Sequence, residues 1–283
     1  MTTNGENTQK TGHDTTLVIG GTGKTGRLVA ERLTALGRPV RIGSRAGDPP
    51  FVWEDPGTWE AAVAGVGAAY VTYYPDLAFP GAAEAVGAFS RYAAGRGVRR
   101  LVLLSGRGEE GARRSERELR EAGADWTVVR ASWFHQNFSE SFFLEPVLGG
   151  ELALPVGDSV EAFVDTEDIA DVAVAALTED GHAGEVYELS GPRLLSFHDV
   201  AAILSEGIGR EVRYVPVTVE QFRAVLAEEG LPQDFAGLFE LISDGRNAHL
   251  TDGVRRALGR EPRDFADYVR RTAATGVWSA GQG

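Results

Sequence analysis

The 283-residue chain has no cysteine. That excludes disulfides, thiolate nucleophiles and cysteine-ligated zinc. Lysine is nearly absent as well: of 28 basic residues only Lys10 and Lys24 are lysines. Lys24 therefore stands out among a background of arginine. No apolar run approaches the roughly 18 residues needed to cross a bilayer. The opening MTTNGENTQKTGHD is polar and lacks the apolar segment of a secretory leader. A cytoplasmic protein with a disordered tail over residues 1–14 is expected. Positive charge is in deficit too, with 28 Lys and Arg against 41 Asp and Glu, a net charge of −13. Such a surface repels phosphate backbones and anionic membranes, so neither nucleic acid nor membrane is expected as a partner. The Asp, Glu and His residues show no metal-ligand spacing, and no metal site is expected.

What is present is an alternation of apolar strands and helical segments. Candidate strands are TLVIG (16–20), PVRIG (39–43), FVW (51–53), AAYVTYY (68–74), RLVLLS (100–105) and WTVVR (126–130). Helical patterns lie between them, near 25–36, 57–65, 81–95 and 113–122. Strands alternating with helices imply βαβ units and a parallel sheet. Right-handed crossovers make it doubly wound, with ligands at the strands' carboxyl ends. After residue 131 the rhythm changes. An aromatic stretch, ASWFHQNFSESFFLEPVLGG, precedes a helix at TEDIADVAVAAL, a strand at EVYELS and a largely helical remainder with one strand candidate, EVRYVPV. The expected fold is α/β: a Rossmann-like doubly wound parallel sheet with a small, mostly helical C-terminal substrate lobe. Residues 15–150 form the dinucleotide-binding part and 151–283 the substrate side, with some elements returning to the sheet.

The stretch LVIGGTGKTG carries a Gly-Lys-Thr that could belong to an ATPase. A phosphate-binding loop of that kind needs Gly-x-x-x-x-Gly-Lys-Ser/Thr, and its first glycine would fall on Val18. The alternative spacing, Gly20-x-x-Gly23-x-x-Gly26, turns tightly off a strand and lets backbone approach a pyrophosphate. The phosphates then meet the free amides of the following helix. Gly20, Thr22, Gly23, Lys24, Thr25 and Gly26 are accordingly cofactor-binding candidates. The second strand ends Ser44-Arg45, without the carboxylate that commonly holds an NAD ribose. An arginine there suits a 2′-phosphate, and a charge-assisted hydrogen bond favours NADPH over NADH by about tenfold or more. NADP(H) is the expected cofactor, with Arg41 a weaker phosphate candidate than Arg45.

GGTGKTG, LVLLSG, SERELREAGADWTVVRASWFHQNF and FVDTEDIADVAVAAL together resemble the NmrA-like atypical short-chain dehydrogenases/reductases. FVWEDPGTWEAAVAGVGAAYVTYYP and TDGVRRALGREPRDFADYVRRTAATGVW extend the resemblance to bacterial relatives of the ergot-alkaloid festuclavine/agroclavine dehydrogenases. The resemblance spans residues 16–278 and implies an NADPH-dependent oxidoreductase. The wider superfamily uses Tyr-x-x-x-Lys after the strand that ends in its active-site serine. Here those two positions fall at about Gly108 and Ala112, while Ser105 keeps the serine's place. Ser105 is thereby a candidate for both cofactor contact and catalysis.

Reducing a ketone creates an alkoxide and calls for a proton donor or oxyanion site. Reducing an iminium neutralises an existing charge and needs none, so positioning can supply much of the rate. An imine or iminium acceptor is therefore favoured, on a small, largely apolar substrate of the secondary-metabolite kind. Tyr73 and Pro75 end a strand where a ribose or nicotinamide would lie. Tyr74, Trp133, Phe134, Asn137 and Phe138 are substrate-side candidates, the aromatics as a wall for a planar molecule. Tyr73, Ser105 and His135 are the side chains able to act as a proton donor. With such a donor the enzyme is instead a ketone, enone or quinone reductase. Without turnover it is an NADP(H)-sensing regulator. Asp165 and Asp168 sit at a strand-to-helix junction and are read as caps. GRGEEGARRSERE is read as a solvated helix and loop, with Arg107 free to meet an acidic substrate. Monomer and homodimer both remain open.

Overall fold

The computed structural model describes residues 15–228, 230, 236–237 and 239–279; the tail expected over 1–14 lies outside the described residues. The first part of the chain alternates as its apolar periodicity requires: β1 (Thr15–Ile19), α1 (Gly26–Ala35), β2 (Val40–Gly43), α2 (Trp59–Val63), β3 (Val66–Val71), α3 (Ala82–Gly95), β4 (Arg100–Gly106), α4 (Glu110–Arg120) and β5 (Asp125–Ala131). Two short helices, α5 (Asn137–Glu140) and α6 (Leu144–Gly149), then lead to β6 (Glu151–Leu154) and β7 (Val160–Glu161). The chain continues through α7 (Thr166–Thr178), β8 (Glu185–Leu189), β9 (Leu195–Ser196), α8 (Phe197–Ile208) and β10 (Arg213–Pro216). It closes with α9 (Val219–Glu228), α10 (Glu240–Ser243), α11 (Gly253–Leu258) and α12 (Phe265–Ala273). No described helix is long and apolar enough to cross a membrane.

Six strands form one sheet in the order β2-β1-β3-β4-β5-β8, all pairs parallel. The order reverses between β1 and β3, which opens a crevice at their carboxyl ends. One sheet face packs on α2, α3 and α4 through Trp59, Val86, Phe89 and Leu119. The other packs on α1, α7 and α11 through Leu28, Leu33, Ile169 and Val254. A third core, with Phe138, Phe143, Phe163, Phe197, Phe265 and Trp278, holds the lobe. The lobe contains small strand pairings too, β6 with β10 and β7 with β9.

FVW is not a strand. Its flanks, Pro49-Pro50 and Pro56, lack the amides of a ladder. The Val52 amide donates to the Thr58 hydroxyl at 3.1 Å and not to a strand, while the Val52 carbonyl accepts from Trp59 Nε1 at 3.0 Å. The segment still serves the core, because Phe51 is buried against Trp59 and Phe89.

Asp165 caps α7, its carboxylate accepting from the Glu167 amide at 3.0 Å. Asp168 does something else: it pairs with Arg260 at 2.8 Å and with Arg263. Asp171 binds Arg32 of α1 at 2.6 Å and Arg263 at 2.9 Å. Burial works to raise the Asp171 carboxyl, but Arg32 and Arg263 outweigh it and hold the group below its ordinary range. These pairs join α1, α7 and the approach to α12.

The start of α1 lies on the turn that ends β1. A Cβ on Gly26 would overlap the Gly20 carbonyl and sit 2.9 Å from Gly21 Cα. Backbone cannot yield as a flexible side chain would. Gly26→Ala is expected to cost about 1–3 kcal/mol, the usual range for overpacking. Gly95→Ala, where nothing lies within 4 Å, should cost nothing. Urea unfolding of both variants checks the pair.

Candidate active site

The glycine turn is built for an approach from outside. Gly20 has φ +69°, and a Cβ there would overlap the Thr72 hydroxyl, which itself donates to the Ile19 carbonyl at 3.0 Å. The turn closes through Gly23 N–H to the Gly20 carbonyl at 2.9 Å. Gly23 is exposed, and a Cβ on it would meet only that carbonyl, at 3.3 Å. Within the protein, a side chain at this position would be pressed only by that backbone carbonyl. No side chain caps α1 and no acidic residue stands in its first turn. The Arg27 amide donates to the Gly23 carbonyl at 3.1 Å, and no side chain takes the Gly26 amide before it. Thr22 is exposed beside them, whereas Thr25 is buried and its hydroxyl accepts from Tyr70 at 3.0 Å. Lys24 reaches across to Asn137, 3.0 Å from Nζ to Oδ1. Burial lowers the Lys24 ammonium pKa and the nearby Glu140 opposes that. Arg27 pairs with Glu140 at 2.6 Å. Loop and post-β5 segment are thus fastened together.

At the end of β2 the Ser44 carbonyl accepts from Gly47 and Phe51 amides at 3.0 and 2.9 Å. Arg45 is exposed on that turn, with no hydrogen bond or ion pair to any described residue. Arg41 is committed elsewhere: its guanidinium donates to the Ala62 and Ala64 carbonyls, each at 2.8 Å, at the end of α2. Only Arg45 of the two is free to meet a phosphate.

Past β3, Tyr73 is half-buried with its ring 5.2 Å from Trp53. Tyr74 is 76% exposed, and Pro75 follows in the same loop. Trp133 is half-buried against Phe142, Phe143 and Phe239, and Phe142 is itself largely open. Phe134 packs on the sheet core and Phe138 is fully buried in the lobe core. Trp133 and Phe142 can therefore offer a surface to a planar substrate; Phe138 cannot. Phe142 had no signal in the sequence beyond being one aromatic among several.

Two expected proton donors are held inside. Ser105 is 3% exposed and donates to Glu116 Oε1 at 2.7 Å. The same carboxylate is gripped by Arg130, with Nε at 2.7 Å and Nη2 at 2.6 Å. His135 is fully buried, Nε2 3.1 Å from the Phe163 carbonyl and its ring against Phe265 and Tyr268. Neither reaches solvent, so neither can hand a proton to a bound substrate in this structure. The nominal Tyr and Lys positions are equally empty of chemistry: Gly108 is in a turn at φ +76° and Ala112 is buried on α4.

The reading of GRGEEGARRSERE as a solvated stretch is corrected. Ala112, Ser115 and Glu116 are buried because they form the inner face of α4, and the opposite charge for Glu116 comes from β5, far off in sequence. Arg107 is 2% exposed and spends its donors on Glu188 at 2.9 Å, Ser132 at 2.6 Å and the His249 carbonyl at 3.1 Å. It is not free for an acidic substrate. Glu161, buried beside this cluster, is pushed up to about 7 by burial, against the pull of Arg107, the Ala162 amide and Ser132.

A cavity of about 260 Å³ lies between α1, α5, α7 and α12, lined among others by Arg27, Gln136, Thr166, Tyr268 and Arg271. It takes no residue from the glycine turn.

Comparison with known proteins places this geometry. The NmrA-like family profile matches residues 114–269. The chain is 30% identical to the NAD(P)H azoreductase of Xenophilus azovorans, over 91% of this chain and 98% of the relative. It is 32% identical to the agroclavine dehydrogenase of Claviceps fusiformis, over 90% and 96% respectively. Among solved structures, the triphenylmethane reductase of Citrobacter sp. complexed with NADP(H) superimposes with a TM-score of 0.72 at 20% identity, covering 92% of this chain and 99% of that one.

The Ser105 geometry has a direct consequence. Ser105→Ala removes a hydrogen bond to a buried carboxylate, worth about 1.5–3 kcal/mol. Its unfolding free energy should fall by that amount while NADPH affinity stays within about twofold. Urea denaturation and calorimetry check the two halves.

Proposed function

Because this chain belongs to the NmrA-like family and presents an open glycine turn at the start of α1, we propose that it is an NADPH-dependent reductase of a small, largely apolar substrate with a C=N acceptor. The observation that carries the cofactor assignment is Gly23: exposed, closing the turn, and standing before a helix start whose amides no side chain caps. Those amides and Thr22 would hold the pyrophosphate, and Arg45 the 2′-phosphate. Bound there, the reduced nicotinamide supplies hydride chemistry. Family relatives described as reductases and dehydrogenases support the same reading.

The acceptor class follows from which hydroxyls are missing. Ser105 is bound to Glu116 and the Tyr-x-x-x-Lys positions hold Gly108 and Ala112. A ketone would demand a donor, and of the three candidate donors Ser105 and His135 are buried, which leaves the half-buried Tyr73 alone. A C=N⁺ carbon accepts hydride without one, and the exposed face of Trp133 and Phe142 suits a planar molecule. Planar C=N substrates are therefore favoured over ketones. The enzyme is expected to work in the cytoplasm on a diffusible small molecule.

Arg45→Ala tests the cofactor half. It should weaken NADPH binding by about tenfold or more, the value of one charge-assisted hydrogen bond, and leave NADH binding unchanged. Isothermal calorimetry with both cofactors decides it, and equal losses for the two would contradict the assignment.

A further inference from the structure

The cavity between α1, α5, α7 and α12 is lined by no residue of the glycine turn and by neither Trp133 nor Phe142. At about 260 Å³ it has the room of about nine water molecules at roughly 30 Å³ each. Its lining brings together parts of the chain that lie far apart in sequence, from the first turn of α1 to the residues that follow α12.

Thr166, the first residue of α7, lines the cavity and is fully buried. Its hydroxyl has no hydrogen-bond partner among the described residues. Gln136 beside it is already engaged, its carbonyl with the Thr166 amide at 3.0 Å and its amide with Asp165 at 2.8 Å. A buried hydroxyl without a partner costs free energy, and an acceptor placed in the cavity restores the missing bond.

The charged groups of the lining are paired in a way that leaves both signs incomplete. Arg27 donates from Nη2 to Glu140 Oε1 at 2.6 Å, and Arg271 donates from Nη2 to Asp165 at 2.8 Å. A guanidinium carries five N–H donors, and Nε and Nη1 of both arginines have no partner among the described residues. The acids are half-spent as well. Arg32 takes Glu167 Oε2, while Glu167 Oε1 and Glu140 Oε2 accept no hydrogen bond from a described residue. The Arg27 and Arg271 side chains are 37% and 52% exposed, so a molecule can reach them from solvent. Leu28 and Val277 add an apolar stretch of wall.

This lining selects by charge. A lone anion drawn to the two arginines also meets Glu140 and Glu167, and a lone cation drawn to those acids meets the arginines. A molecule with both charges satisfies the unspent donors and the unspent acceptors together. We propose that this cavity is a second binding site, separate from the cofactor turn, for a small zwitterion: an α-amino acid with an apolar side chain. Its carboxylate accepts from Arg271 and from the Thr166 hydroxyl. Its ammonium donates to Glu140, and its side chain lies on Leu28 and Val277. The site goes beyond the reductase reading and does not depend on it. An occupant ties α1 and α7 to α12, and so stabilises the folded chain by mass action.

Calorimetry on the full-length protein tests this with three probes of one carbon skeleton. They are L-leucine, isocaproate, which lacks the ammonium, and isoamylamine, which lacks the carboxylate. L-Leucine should bind, and each of the other two should bind at least about tenfold more weakly, the value of one charge-assisted hydrogen bond. Thr166→Val keeps the shape of the side chain and removes the hydroxyl. It should weaken L-leucine binding by about tenfold. The urea midpoint of the ligand-free protein should not fall, because no bond within the protein is lost. Arg271→Gln should weaken L-leucine binding by at least as much. L-Leucine should also raise the melting temperature of the wild type and not that of Thr166→Val at the same concentration. Titration in the presence of saturating NADPH should still show L-leucine binding, since the two sites share no residue. Absence of L-leucine binding, equal affinity for the three probes, or affinity unchanged in both variants would overturn the site. Competition between L-leucine and NADPH would place the amino acid at the glycine turn and overturn it as well.

Discussion

The backbone of Gly26 lies so close to Gly20 that no Cβ fits between them, and the rest of the geometry hangs on that approach. With no Cβ between them, α1 begins directly against the turn that ends β1. The uncapped helix start therefore faces the crevice where the strand order reverses. Thr25, locked under the turn by Tyr70, fixes that placement from below. Further along α1, Arg32 carries the helix's position to Asp171 of α7, and Arg263 carries it on towards α12. A displacement at the first turn would be felt in the lobe.

Charge is sorted along this frame in two ways. Most buried acids among the described residues are neutralised: Glu116 by Arg130, Asp168 by Arg260 and Arg263, Asp165 by Arg271. Such pairs are costly to break singly, because the survivor is left charged in a poor solvent. They build structure and leave no proton to give. Glu109 is different: burial first, and then the like charge of Asp76, favour its protonated form.

Much of the frame was legible in the chain itself. Period-two and helical patterns identified β1 to β5 and the helices between them, and the spacing of Gly20, Gly23 and Gly26 identified the turn. FVW was misleading because its apolar character reflects core packing of Phe51, not pairing, and prolines deny it a ladder. Ser105 and His135 could not be assigned from type and position alone. Their roles depend on Glu116, Arg130, Phe163 and Phe265, which come from other elements. Arg41 and Arg45 illustrate the same limit: four residues apart, one closes α2 and the other is free. The burial of Glu116 was hidden in a run of alternating charge, because its partner Arg130 comes from β5 and not from the run itself.

The central claim is that the glycine turn and the carboxyl edge of the sheet form one continuous cofactor and substrate site. A crystal structure of the NADP⁺ complex tests it most directly. The pyrophosphate should rest on the backbone from Gly20 to Gly26, the 2′-phosphate should be hydrogen-bonded to Arg45, and the nicotinamide should lie at the ends of β3 and β4. Phosphates bound away from the glycine turn, or a nicotinamide directed away from the ends of β3 and β4, would contradict the account.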